Sequence, residues 1–119
     1  MIGRRWMLPV GWAALILALT SVPGSAVPDV GVDSADKLVH LGMYAVLAWL
    51  AVRATSPTPA GVAVATFMAV AAFAALDEWH QQFIPGRTTD AADLVADIVG
   101  GGAGILAFQA AQRRRESAS

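Results

Sequence analysis

LDEWHQQFIPGR, residues 76–87, is the densest polar stretch of the chain, and it stands between two apolar runs. Before it lies the alanine- and valine-rich segment that begins at Ala60; after it comes TTDAADLVADIVGGGAG, residues 88–104, mostly apolar but seeded with carboxylates. The Pro85-Gly86 pair punctuates the stretch, since proline lacks a backbone donor and glycine turns freely. It therefore reads as a polar corner joining two apolar helices. What surrounds those helices decides the fold.

Composition points to lipid. Of 119 residues, 56% are hydrophobic and 14% charged, and the mean hydropathy is +0.57. A soluble domain this small has much surface per unit volume and needs more charge to cover it, so a membrane protein is favoured over a soluble helical bundle. The absence of cysteine excludes disulfides, thiolate metal sites and a cysteine nucleophile. A net charge of −1, with basic residues scattered or terminal, argues against nucleic acid as a partner. Neither a glycine-rich phosphate loop nor a GxSxG elbow is present.

A bilayer crossing takes about 20 residues at the helical rise. Four segments qualify: Trp6 to Val22, Leu38 to Ala54, Ala60 to Trp79 and Ala91 to Gln109. They are separated by VPGSAVPDVGVDSAD, TSPTPAG and IPGRTTD, all rich in turn formers. The expected architecture is an all-α integral membrane bundle of four transmembrane helices with short loops, forming one domain over 1–119. Arg4, Arg5, Arg53, Arg113, Arg114 and Arg115 fall on one side, and Lys37 and Arg87 on the other, six against two. Cytoplasmic loops retain the excess of basic residues, which predicts both termini inside and connections 23–37 and 80–90 outside. A rival reading takes Arg4-Arg5, the apolar core and PGSA as a cleaved signal peptide, leaving three helices.

Polar residues recur at helical spacing. Asp36, His40 and Tyr44 are four apart and share a face, with Lys37 beside them. Glu78 and Gln81 are three apart at the end of the third segment, where Asp77 joins Gln81 at four. Asp93, Asp97, Gly100 and Gly104 are spaced 4, 3, 4 and line one face of the fourth. With the predicted topology, all these carboxylates and His40 meet at the extracytoplasmic end. An aspartate near mid-membrane costs roughly 2.5–3.5 kcal/mol on insertion scales, so it persists only if paired or wetted inside the bundle. Asp97 lies roughly 10 Å into its helix by the helical rise and marks a candidate site. Gly100 and Gly104 form a GxxxG pair suited to close helix packing.

Each of these residues has a bland reading beside the sharp one. Ser34 or Asp36 can cap the second helix, and Asp93 suits the positive end of the fourth. His40 reads as a hydrogen-bonded core residue, a metal ligand or, preferred here, a proton carrier whose charge Asp36 sets. Glu78, Arg87, Asp93 and Asp97 read either as a structural charge network or as a site. In the site, Arg87 of the Pro85-Gly86 turn offers a planar fork to phosphate or carboxylate, and Glu78 with His40 supplies acid and base. A hard-metal site of carboxylates with His40 or His80 matches no strong motif, leaving metal and cofactor unassigned. Trp79 and Phe83 read as an interfacial aromatic belt.

DKLVHLGMYAVLAWL at 36–50, DEWHQQFIPGR at 77–87 and DLVADIVGGGAG at 93–104 together resemble the VanZ-like family of small bacterial membrane proteins. LTSVPG at 19–24 resembles that family's end to its first helix, against signal cleavage. The resemblance covers nearly the whole chain. It implies a four-helix, multi-pass protein of the bacterial cytoplasmic (inner) membrane and cell envelope, with a founding member linked to low-level teicoplanin resistance. The family's polar pattern falls on Asp36, Lys37, His40, Glu78, Gln81, Arg87, Asp93 and Gly100. Asp97 departs from it, since the family commonly carries asparagine there; the additional charge calls for a cation or a proton.

These readings converge on an outward-facing polar pocket that binds or acts on an anionic lipid phosphate or lipid-linked envelope precursor. Lys37 and Arg87 would hold the anion. His40, Glu78, Gln81, Asp93 and Asp97 would form the candidate catalytic set, and Asp36, Tyr44, Pro85, Gly86, Gly100 and Gly104 would support it. A non-catalytic membrane scaffold is the alternative. A small transporter is disfavoured, because nothing comparable lines the opposite half.

Overall fold

The computed structural model describes residues 3–21, 33–56, 58–86 and 91–118, with the side chains of 33–36 excepted. A short 3-10 turn, Arg4–Trp6, leads into α1, Met7–Thr20; α2 is Asp33–Ala54, α3 Ala60–Gln81 and α4 Ala91–Ala118. No strand occurs among the described residues.

Local chemistry explains the helix ends. Pro9 sits in the first turn of α1, where a missing N–H costs nothing. Extended Pro59 precedes α3, and its carbonyl accepts the Ala63 N–H at 2.9 Å, starting the helical ladder. After Gln81 the backbone tightens: Gln82, Phe83 and Ile84 each donate to the carbonyl three residues earlier. Gly86 follows with φ 77°, a left-handed conformation that strains any residue bearing a Cβ.

The boundaries depart from hydropathy in informative ways. The first helix, expected over 6–22, has 14 residues. At the helical rise that is about 21 Å, short of the hydrocarbon core by itself. The second begins at Asp33 rather than Leu38, and the third runs two residues beyond Trp79. The fourth, expected to end near Gln109, continues to Ala118. QAAQRRRESA is polar enough to leave lipid yet made mostly of good helix formers, so hydropathy ends before the helix does. Among the described residues three helices, Lys37–Ala54 of α2, α3 and α4, are long and apolar enough to cross a membrane, against the four expected.

Burial is inverted relative to a soluble protein. Leu38, Val64, Met68, Leu76 and Leu106 point outward, whereas Asp77 and Asp97 are each 1% exposed. Water would make both arrangements unfavourable; lipid outside and hydrogen-bonded partners inside make both acceptable. The apolar core is built from Ile16 of α1, Tyr44, Ala48 and Val52 of α2, Val70 and Ala74 of α3 and Ile105 of α4.

The closest pairing is α2 against α4. A Cβ placed on Gly100 would fall on the Leu41 carbonyl oxygen, and one on Gly104 on that of Ala45. Both positions repeat every four residues, so two glycines on one face of α4 accept two successive turns of α2. Gly101 turns toward Val70 of α3 instead, with a virtual Cβ 3.1 Å from Cγ1. Trp49 and Phe108 pack edge-to-face at 5.2 Å between α2 and α4. Trp12 fastens α1 to α2 by donating its indole N–H to the Met43 carbonyl at 2.9 Å.

Candidate functional site

The start of α2, the end of α3 and the start of α4 lie at the same end of the bundle, together with the last turn of α1. On α2, Lys37 and His40 are one turn apart; on α4, Asp93 and Asp97 are one turn apart. The glycine-enforced approach just beyond them brings these turns into register. His40 Nδ1 lies 2.9 Å from Asp97 Oδ1, with both residues buried. Lys37 Nζ lies 3.8 Å from Asp93 Oδ1, with the lysine partly exposed. Two base–carboxylate pairs therefore stack along the α2–α4 seam, one deep and one toward the surface.

A third carboxylate is tied differently. Asp77 of α3 accepts the Tyr44 hydroxyl at 3.0 Å on Oδ2 and the Thr20 hydroxyl at 2.7 Å on Oδ1. It thus joins α1, α2 and α3 at one buried point. A buried carboxylate without donors is strongly disfavoured, and two hydroxyls are compensation without a countercharge. Tyr44 also lies 6.0 Å, centroid to centroid, from Phe73, which packs its ring against α3.

The remaining residues fall into place around these links. Glu78 and Gln81 are buried on the inner face of α3, while Trp79 between them is 59% exposed. Gln81 Nε2 and Asp97 Oδ2 are buried without a hydrogen-bond partner among the described residues. Pro85 and Gly86 form an exposed turn just after α3. Arg87 and the side chain of Asp36 lie outside the described residues, as do those roles assigned to them. Among the described side chains, Asp97 is the carboxylate found on His40 Nδ1. Of the network imagined among Glu78, Arg87, Asp93 and Asp97, the two aspartates face α2: Asp97 meets His40 and Asp93 meets Lys37.

The sequence places Asp77 with Gln81 at the polar end but gives it no role in the site, and it gives Thr20 and Trp12 none either. A signal for Asp77 exists: the buried seam of α3 runs Ala63, Thr66, Val70, Ala74, in steps of three and four, and its next members are Asp77 and Gln81. Thr20 and Trp12 carry no comparable signal, because their partners lie on other helices.

Chemically, the His40–Asp97 bond can fix an imidazole in one orientation and tautomer, with the hydrogen on Nδ1 facing the carboxylate. The Lys37–Asp93 pair adds a partly exposed cation that a competing anion can reach. Among the described residues, no group of three or more histidine, aspartate or glutamate side chains is placed to hold a metal ion.

Described elements that are all helical, with lipid-compatible outer faces and a buried ionisable cluster at one end, define a membrane protein with a buried polar cluster. Residues 6–112 match the model of the VanZ/LLP1 family, and the chain belongs to that family. No curated protein and no solved structure gives a significant match.

Proposed function

We propose that this protein crosses the bacterial cytoplasmic membrane four times, with both termini inside. In this reading its ionisable end opens outward to bind or act on an anionic lipid phosphate or lipid-linked envelope precursor. The α1 helix counts as the first crossing because the preceding 3-10 turn lengthens it to about 27 Å. Lys37, with Arg87 of the following turn, receives the anion. His40, oriented by Asp97, moves a proton with Glu78 nearby, while Gln81 and Asp93 orient the bound group. A role in teicoplanin resistance follows from such an envelope function.

The observation carrying this reading is the side-by-side stacking of His40–Asp97 and Lys37–Asp93 at one end of the bundle. A purely structural bridge calls for neither an acid/base pair nor a partly exposed cation beside it. The test is complementation of a deletion strain with E78Q, R87Q and D97A at matched membrane levels. The expected outcome is failure to complement: the altered envelope lipids of the deletion strain, and any change in teicoplanin susceptibility, persist. Full complementation by all three would sink the reading.

A second reading, a scaffold whose polar network is architectural, is favoured by the Asp77 link to three helices. A thermodynamic cycle on H40A and D97A separates the two. A scaffold predicts that function tracks stability in every variant, the double variant being no worse than either single one. A working site predicts loss of function at temperatures where each variant is still folded.

A further inference from the structure

At the opposite end of the bundle, the approach to α1, the end of α2 and the last turns of α4 frame a cleft of about 590 Å³. Four arginines line it, Arg4, Arg5, Arg53 and Arg115, against one acid, Glu116. The excess is three positive charges in one concavity. Arg5 donates through Nη1 to the Ser56 carbonyl at 2.7 Å, which anchors that guanidinium to the turn between α2 and α3 and occupies one of its five donors. Arg4, Arg53 and Arg115 form no ion pair with a carboxylate among the described residues.

The cleft is not basic throughout. Trp49 and Phe108 form its aromatic wall, and Leu8, 53% exposed, continues it onto the lipid-facing side of α1. Guanidinium groups therefore rim a cleft whose remaining wall is apolar and continuous with the membrane-facing surface. Arg53 lies in the last turn of α2, where the apolar span ends. A soluble phosphate would satisfy the rim alone. An amphiphile with a phosphate head and acyl chains satisfies both halves, and a volume of this size lies within the range of small-ligand sites.

We propose that this cleft binds the phosphodiester of an anionic membrane lipid, its headgroup held by the arginine forks and its chains laid against Leu8, Trp49 and Phe108. The site is remote from the ionisable cluster: His40 and Arg53 are 13 residues apart on one helix, about 20 Å by the helical rise. It stands or falls independently of the function proposed above.

The test uses the full chain in a neutral detergent, carrying Lys37→Gln and Arg87→Gln so that the cations assigned to the other end cannot supply the binding. Native mass spectrometry compares retention of dioleoyl phosphatidylglycerol with dioleoyl phosphatidylcholine. We expect a preference of about tenfold for the anionic lipid, abolished by adding Arg53→Gln with Arg115→Gln in protein that remains helical and monodisperse. Equal retention of the two lipids overturns the proposal, and this comparison needs no arginine variant to fold. Undiminished preference in the folded arginine variant also overturns it. So does displacement of the lipid by inorganic phosphate at about 10 mM, which would make the cleft a soluble-anion site.

Discussion

Asp97 carries the most consequential single contact. Its Oδ1 sits 2.9 Å from the His40 ring nitrogen at a position 1% exposed to solvent, so neither group can turn to water for a partner. Truncation by D97A leaves a buried imidazole donor unsatisfied and should cost about 1–3 kcal/mol. D97N keeps a carbonyl oxygen as acceptor and should lose less than half as much. Thermal melting in detergent checks both, and equal melting of the two variants would contradict the role given to this bond. Depth in the helix singled out Asp97 from sequence, since a carboxylate some 10 Å into an apolar segment demands compensation. Which group compensates it was not legible. Spacing tells which residues share a face of one helix, yet His40 and Tyr44, four apart on α2, reach different partners: Asp97 on α4 and Asp77 on α3.

The helices are held together by small residues, and that is where element-scale predictions belong. Gly100→Ala and Gly104→Ala each drive a methyl group into an α2 carbonyl oxygen, and backbone cannot retreat the way a flexible side chain can. Each should destabilise by about 1–3 kcal/mol or more and pull the Lys37–Asp93 and His40–Asp97 pairs apart. Gly102→Ala meets Phe67 Cε1 at 3.5 Å, an ordinary contact, and should melt at or above the wild-type temperature. Similar melting of G100A and G102A would show that α2 and α4 do not approach as described. The glycine spacing announced a close helix contact in advance but not its partner. Nor did hydropathy locate the C-terminal end of α4, because a run such as QAAQRRRESA is polar enough to leave lipid while its propensity keeps it helical.

For the molecule as a whole, a bundle with extents of 50 × 31 × 21 Å places the His40–Asp97 and Lys37–Asp93 pairs at one end and Arg4, Arg5, Arg53 and Arg115 at the other. The sidedness we propose makes a direct prediction, and the absence of native cysteine keeps the experiment clean. Gln82→Cys, beside the end of α3, should react with an impermeant maleimide in intact cells; Ser117→Cys, near the end of α4, should react only after permeabilisation. The reverse pattern would turn the bundle over and, with it, the pocket. Sequence by itself determined the helical, membrane-embedded character and the family, because both are written in composition, periodicity and local motifs. Tertiary structure alone decided that Asp97 meets His40, that Asp93 meets Lys37 and that Asp77 gathers Thr20 and Tyr44. Those pairings depend on how far each helix is rotated and slid against its neighbours. Backbone contact at Gly100 and Gly104 sets that geometry for α2 and α4, and no single helix encodes it.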